Sequence, residues 1–363
     1  LDVLMTESAT RFISPLTLRS LTCRPVFIDM YDPDSELAEE HVEIARRAEA
    51  VIVAPASATT IAKLAQGVAD DMVSLTVLAT QAPVIVAPAM DHQMFENAAT
   101  QANIETLRGR GYVILGPAEG RLASGRMGLG RLVETEVLIG ALKQALGRRG
   151  DLAGRRVVVT AGGTREPLDP VRFISNYSSG KMGYALAEAA RDRGAEATLV
   201  STASLPAPYG VGLVRVETVA EMRDAVLAAC EAADALIMAA AVSDYRPAER
   251  AGGKVKKGPE RKALELERTP DFLTEVQSPI IKVGFAAETD DLVENAKAKL
   301  AEKDLDLIAA NDVTDPDSGF AVDTNRVTLI DRAGRVEELP LLSKYDVAHR
   351  ILDRVVALLR ERR

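Results

Sequence analysis

Several stretches of this chain place small, hydroxyl, amide or charged residues directly after an apolar run, at the point where a helix pattern begins. Pro55-Ala56-Ser57-Ala58-Thr59-Thr60 is one. Hydroxyls and free backbone N–H groups at a helix start suit a phosphate or an isoalloxazine edge, and equally an ordinary N-cap. Asp91 follows the run 83–88 and is either a catalytic carboxylate or the cap of the next helix. Residues 116–131 are rich in Gly and Arg and include Ser124. They read as a lid over an anionic substrate or as a surface loop. His41 lies in a helical pattern with Ile44 and Ala45, where a histidine is usually structural.

The second half repeats the arrangement with different residues. Gly162-Gly163 follows the run 157–160, and paired glycines let a backbone approach a phosphate. The spacing is not Gly-x-Gly-x-x-Gly, so a dinucleotide reading is weak. Asn176-Tyr177-Ser178-Ser179-Gly180-Lys181-Met182-Gly183 opens a helix and offers an anion site. It is not a Walker A loop, because Met182 stands where Ser or Thr is required. Asp244, after the run 235–242, is placed for Mg²⁺ or a ribose. Lys254-Val255-Lys256-Lys257-Gly258 is either a solvated loop or a basic flap that closes on a triphosphate. Lys299 and Lys303 are one helical turn apart; their repulsion is relieved if an anion bridges them.

Positioning these residues requires buried strands. Runs 51–55, 83–88 and 112–115 alternate with helical patterns 37–49, 58–66 and 97–110. After a helix at 133–146, runs 156–160, 197–201, 235–242, 282–287 and 305–310 alternate with helices 181–193, 220–233 and 292–303. Continuously apolar strands between helices mean parallel sheets covered on both faces. The fold class is therefore α/β, with two tandem doubly wound, Rossmann-like domains. A hairpin, 326–330 with 335–339, precedes a last helix whose apolar stripe is Val347, Ile351, Val355 and Leu359. The domains are expected at 1–147 and 155–363, joined by a glycine-rich linker at 148–154.

Composition narrows the function. The net charge of −9 argues against a nucleic-acid coat or an anionic membrane surface as partner. Two cysteines, Cys23 and Cys230, are expected as reduced, buried thiols of a cytoplasmic protein. Three histidines, far apart, give no zinc spacing. No apolar run reaches the ~20 residues of a membrane span.

His41, the run 54–63, Ala69-Asp70-Asp71 and Pro88-Ala89-Met90 together resemble the flavin-dependent cysteine decarboxylases. The segments 160–167, 172–183, 239–245, 254–257, 284–289 and 310–313 resemble phosphopantothenate–cysteine ligase domains. The whole chain thus resembles the bifunctional decarboxylase–ligases of coenzyme A biosynthesis. For the first half, the resemblance implies a flavodoxin-like domain binding FMN through Ser57, Thr59 and Met90. His41 would be the active-site base, and Asp91 and Ser124 would be catalytic. For the second half it implies a CTP- and Mg²⁺-dependent ligase joining 4′-phosphopantothenate to L-cysteine through an acyl-cytidylate. Asn176 would favour conversion of that intermediate, and Lys254 would stabilise the triphosphate. Gly162, Gly163, Met238, Ala239, Ala240, Asp244, Phe285, Lys299 and Lys303 would form the CTP site, with Asp244 on the metal. A homo-oligomer is implied, with a trimerising first domain and a dimerising second.

The chain departs from the family pattern at two catalytic positions. Asp91 replaces the usual Asn, and Ser124 replaces the Cys that many members use as proton donor. A hydroxyl is a far weaker acid than a thiol, so direct donation by Ser124 is disfavoured. The pair reads as a subfamily variant. Leu1–Thr6 matches the family's second strand, so the first strand and its phosphate loop and helix are expected to be missing, with FMN binding weak or absent. Two other readings stand beside this one: a monofunctional ligase whose first domain serves assembly, and a non-catalytic nucleotide-binding flavoprotein module.

Overall fold

The computed structural model describes residues 1–31, 40–254, 263–288, 291–312, 319 and 322–362. The chain divides into two compact units, Leu1–Leu146 and Gly147–Arg363.

In the first unit, strands Val51–Ala56, Val84–Pro88 and Val113–Ile114 form a parallel three-stranded sheet. The central strand is buried along its whole length, which is why it reads as a continuous apolar run. Helices Ala58–Gln66 and Ala98–Gly109 bring Ile61, Leu64, Ile104 and Leu107 onto Val53 and Val86. Val3–Leu4 and Val26–Phe27 form a separate parallel pair. The Gly/Arg segment is not an irregular loop. Its arms, Ala118–Arg121 and Met127–Arg131, pair antiparallel. Its glycines hid the strand because they replace the apolar positions of a two-residue alternation. A Cβ at Gly130 would lie 2.1 Å from the Met90 carbonyl oxygen, so only glycine lets the hairpin reach that strand end.

The second unit is built on an eight-stranded sheet. Its order is Gly212–Arg215, Glu196–Ser201, Arg156–Ala161, Ala235–Met238, Ile281–Glu288, Leu307–Asp312, Val327–Asp331 and Val336–Glu338. The first six are parallel and the last two antiparallel. Numbered along the chain, the parallel strands run 3-2-1-4-5-6. The order reverses between Arg156–Ala161 and Ala235–Met238, and a crevice opens there at the strand ends. Alternate residues build two cores. Val157, Val159, Leu199 and Ile237 face helices Lys181–Asp192 and Lys344–Glu361, where Leu186, Val347, Ile351 and Val355 are fully buried. Val158, Val200, Leu236 and Ile308 face Met222, Val226 and Ala296 of Val219–Cys230 and Leu292–Glu302.

Three expectations are corrected. Residues 148–154 are no open linker: Leu152 is fully buried in the second unit's core, and Arg193 holds Asp151. The run 235–242 is a strand only to Met238; beyond it the backbone turns into the crevice. Cys230 is buried, and burial pushes its thiol up to about 11, whereas Cys23 is exposed at the end of helix Pro15–Thr22.

The approach of the first helix to its strand gives a stability test. A Cβ at Gly183 would lie 2.5 Å from Ala161 Cβ and 2.6 Å from the Thr160 carbonyl oxygen. Both obstacles are immobile core atoms. Gly183→Ala is expected to cost about 1–3 kcal/mol. Chemical denaturation measures it; an unchanged midpoint would show that the helix shifts outward freely.

Candidate active sites at the strand ends

In the first unit the candidate residues divide. Ser57 caps helix Ala58–Gln66, its Oγ accepting from the Thr60 N–H at 3.2 Å. Thr59 is exposed on the first turn, and Met90 is half-buried at the end of Val84–Pro88. Asp91 caps helix His92–Glu96 through the Gln93 N–H at 3.1 Å. It also accepts from Ser124 Oγ at 2.9 Å. The two positions that depart from the family pattern therefore touch each other. The Ser124 hydroxyl, then the Gln93 N–H, hold the Asp91 carboxyl below its usual range. His41, on helix Glu40–Arg47, is half-buried. Among the described residues no hydrogen bond joins it to Asp91 or Ser124.

The Ser124 contact predicts a measurable shift. In Ser124→Ala the Asp91 carboxyl loses its largest stabilising partner and titrates at higher pH, nearer an ordinary aspartate. Carbon-detected NMR of the Asp91 carboxyl reads this directly; an unmoved titration would place its stabilisation elsewhere.

In the second unit, a cavity of about 890 Å³ opens at the crevice. Asn176, Asp244, Met238, Ala239, Ala240 and Phe285 all line it. Lys299 and Lys303 also face it, and Lys303 Nζ reaches Asp271 Oδ2 at 3.1 Å. Asp271 thus relieves part of the repulsion between the two lysines. Ser178, Ser179 and Gly180 bring the start of helix Lys181–Asp192 to the wall. The donors and positive end of a helix there favour an anion. Lys181 Nζ bonds Asp323 at 2.7 Å.

Gly162 and Gly163 lie under this wall. Gly162 has φ +87°, in the region that favours glycine. A Cβ on Gly163 would sit 2.5 Å from the Asn176 carbonyl oxygen. Asn176 Nδ2 donates to the Val242 carbonyl at 3.1 Å. Asp244 is exposed to the cavity. Among the described residues no three His, Cys, Asp or Glu side chains group to hold a metal. One carboxylate still suits Mg²⁺, which commonly takes its other ligands from phosphates and water.

Lys254 is exposed and not among the lining residues. It extends from an antiparallel pair, Tyr245–Pro247 with Leu266–Arg268, whose base reaches the cavity at Asp244 and Arg268. Lys256 and Lys257 lie outside the described residues. Sequence reasoning passed over Arg268, Asp271 and Lys344. Lys344 is buried, donating to the carbonyls of Gly319, Val322 and Thr324. Burial pushes its ammonium below the usual lysine range. A lone lysine at a helix start carries no sequence signal of that role.

No described helix is long and apolar enough to cross a membrane. The family model of the DNA/pantothenate metabolism flavoprotein C-terminal domain matches residues 152–359, and the flavoprotein model matches 1–147. The coenzyme A biosynthesis bifunctional protein CoaBC of Bacillus subtilis (strain 168) is 46% identical over 363 residues, spanning 98% of this chain and 89% of that protein. A cysteine/cysteine sulfinic acid decarboxylase from an unknown prokaryotic organism is 39% identical over 356 residues, 95% of this chain and 99% of that protein. The crystal structure of the C-terminal domain of a CoaBC protein shares 42% identity at a TM-score of 0.51, covering 58% of this chain and 99% of that one.

Proposed function

We infer the chemistry from one premise: the chain belongs to the CoaBC family of bifunctional coenzyme A biosynthesis proteins. It is an enzyme with a phosphopantothenate–cysteine ligase half and a phosphopantothenoylcysteine decarboxylase half. The observation that carries the ligase reading is the single cavity lined by Asn176, Asp244, Phe285, Lys299 and Lys303 at the sheet's switch point.

CTP is the nucleotide in this reading. Met238, Ala239, Ala240 and Phe285 form the apolar wall for its base and sugar, and Lys299 and Lys303 neutralise its phosphates. Asp244 would hold Mg²⁺, which would supply further positive charge for the triphosphate. The carboxylate of 4′-phosphopantothenate attacks the α-phosphorus and pyrophosphate leaves. Lys254 meets the charge that develops on that leaving group. The cysteine amine then attacks the acyl carbon and CMP departs. The Asn176 amide, oriented by Val242, faces this second step.

FMN belongs to the first half, which the flavoprotein model matches. The exposed Thr59 hydroxyl and the helix start at Ala58 fit a phosphate or a ring edge. Ser57, Thr59 and Met90 would hold the group. When bound, FMN supplies the two-electron oxidation that makes loss of CO₂ feasible. His41 is the base in this reading. Asp91 keeps the Ser124 hydroxyl pointed at itself, so the pair orders the hairpin rather than donating a proton. The protein is cytoplasmic and homo-oligomeric. Exposed Phe12, Leu16 and Leu21 on the first unit suit an assembly surface.

Mass analysis of the product tests the reading. The protein with 4′-phosphopantothenate, CTP, Mg²⁺ and cysteine is expected to form phosphopantothenoylcysteine. The relative named for cysteine and cysteine sulfinic acid favours a second reading. That reading gives CO₂ from free cysteine with no nucleotide, and the same assay separates the two.

A further inference from the structure

The backbone that carries Val242 and Asp244 into the cavity is tied by three residues: Gly162, whose carbonyl accepts from the Ala241 N–H at 2.8 Å, Thr164 and Thr269. Thr164 is fully buried and Ser243 is 1% exposed. The Thr164 N–H donates to the Ala241 carbonyl at 3.2 Å. Its Oγ1 accepts from the Ser243 N–H at 2.9 Å and donates to Ser243 Oγ at 3.2 Å. Ser243 Oγ in turn donates to the Thr164 carbonyl at 3.4 Å. Thr164 therefore grips the residues on both sides of Val242. The Val242 carbonyl is the acceptor for the Asn176 amide. From the other side, Thr269 Oγ1 donates to the Ser243 carbonyl at 2.5 Å, and the Thr269 N–H to that of Asp244 at 2.9 Å.

We propose that Thr164 is the positioning residue for Asn176: without touching substrate, it fixes the Val242 carbonyl that aims the Asn176 amide at the acyl-cytidylate. The inference rests on the role given to Asn176 above. What the contact requires is a hydroxyl that accepts from the Ser243 N–H. Valine fills the same space but accepts nothing, leaving the buried Ser243 N–H unpaired, so the segment must move to solvate it. Thr164 also lies within the glycine-rich turn after the first strand of the second unit. The same turn lies against Asn176 from below, since a Cβ on Gly163 would sit 2.5 Å from the Asn176 carbonyl oxygen.

Thr164→Val, Thr164→Cys and Thr164→Ser test the proposal, compared in the full chain with Asn176→Asp and the Asn176→Asp/Thr164→Val double variant. Thr164→Val is expected to slow product formation about tenfold and raise the acyl-cytidylate level per enzyme by a similar factor. The KM for CTP and phosphopantothenate-dependent CTP–pyrophosphate exchange are expected to stay within about threefold. Serine keeps the acceptor and restores turnover, and cysteine, a weak acceptor, falls between. The double variant is expected to match Asn176→Asp, because both changes break the same alignment. The proposal is overturned if Thr164→Val leaves the acyl-cytidylate level unchanged while Asn176→Asp raises it, or if exchange falls as much as product formation. If Thr164→Val does not fold, the cysteine-to-serine difference decides, and equal levels overturn it. If Asn176→Asp itself raises no acyl-cytidylate, the role of Asn176 falls and this inference with it.

Discussion

In Lys254→Gln, pyrophosphate release from CTP is expected to fall by ~10²-fold or more, equivalent to about 2.7 kcal/mol of transition-state stabilisation. Glutamine keeps most of the length and some hydrogen bonding but not the charge. The charge matters at one moment, when the bond to the α-phosphorus breaks and negative charge grows on pyrophosphate. Lys254 is exposed and follows, seven residues on, from a two-stranded ribbon that meets the cavity at Asp244 and Arg268. An exposed lysine pays little desolvation while open, and its charge gains strength when it meets a phosphate away from water. The loss should appear in the activation half-reaction as much as in turnover. Initial rates of pyrophosphate release with saturating CTP measure it. A loss of less than about threefold would show that the ribbon carries no transition-state charge.

Asn176→Asp is expected to give the second large effect, on the other half-reaction. The amide donates to the Val242 carbonyl at 3.1 Å. A carboxylate of the same shape has no proton to donate and sets a negative charge against that carbonyl. Losing a hydrogen bond next to a charged centre costs on the order of 1.5–3 kcal/mol, or roughly 10–100-fold in rate. Under the role proposed for Asn176, activation by CTP is expected to continue and the acyl-cytidylate to build up on the enzyme. Quenched reactions with labelled CTP count it per active site. Turnover within about twofold of the parent, with no intermediate detected, would remove Asn176 from the reaction.

Much of the second unit was legible because its strands are buried on both faces. Val157 to Ala161, Ala235 to Met238 and Leu307 to Ala310 read as continuous apolar runs for that reason. Once the strands were placed, their carboxyl ends pointed to the crevice, and Asn176, Asp244 and Phe285 line the cavity that opens there. What escaped was carried by geometry rather than by periodicity. The hairpin 118–131 is glycine-rich where it meets another backbone, so its strands showed no alternation. The segment 148–154 looked like a linker, yet a fully buried Leu152 anchors it. Ser57 and Asp91 act as helix caps, as their residue types allow, and only the fold showed that Asp91 also meets Ser124. Asp271 and Lys344 act through partners far along the chain, where sequence spacing carries no information.

The most direct measurement is pyrophosphate release with CTP, then with ATP, each with and without 4′-phosphopantothenate. Release is expected to require CTP and 4′-phosphopantothenate and to continue to phosphopantothenoylcysteine when cysteine is added. Release independent of 4′-phosphopantothenate, or none with either nucleotide from folded protein, would contradict the ligase reading.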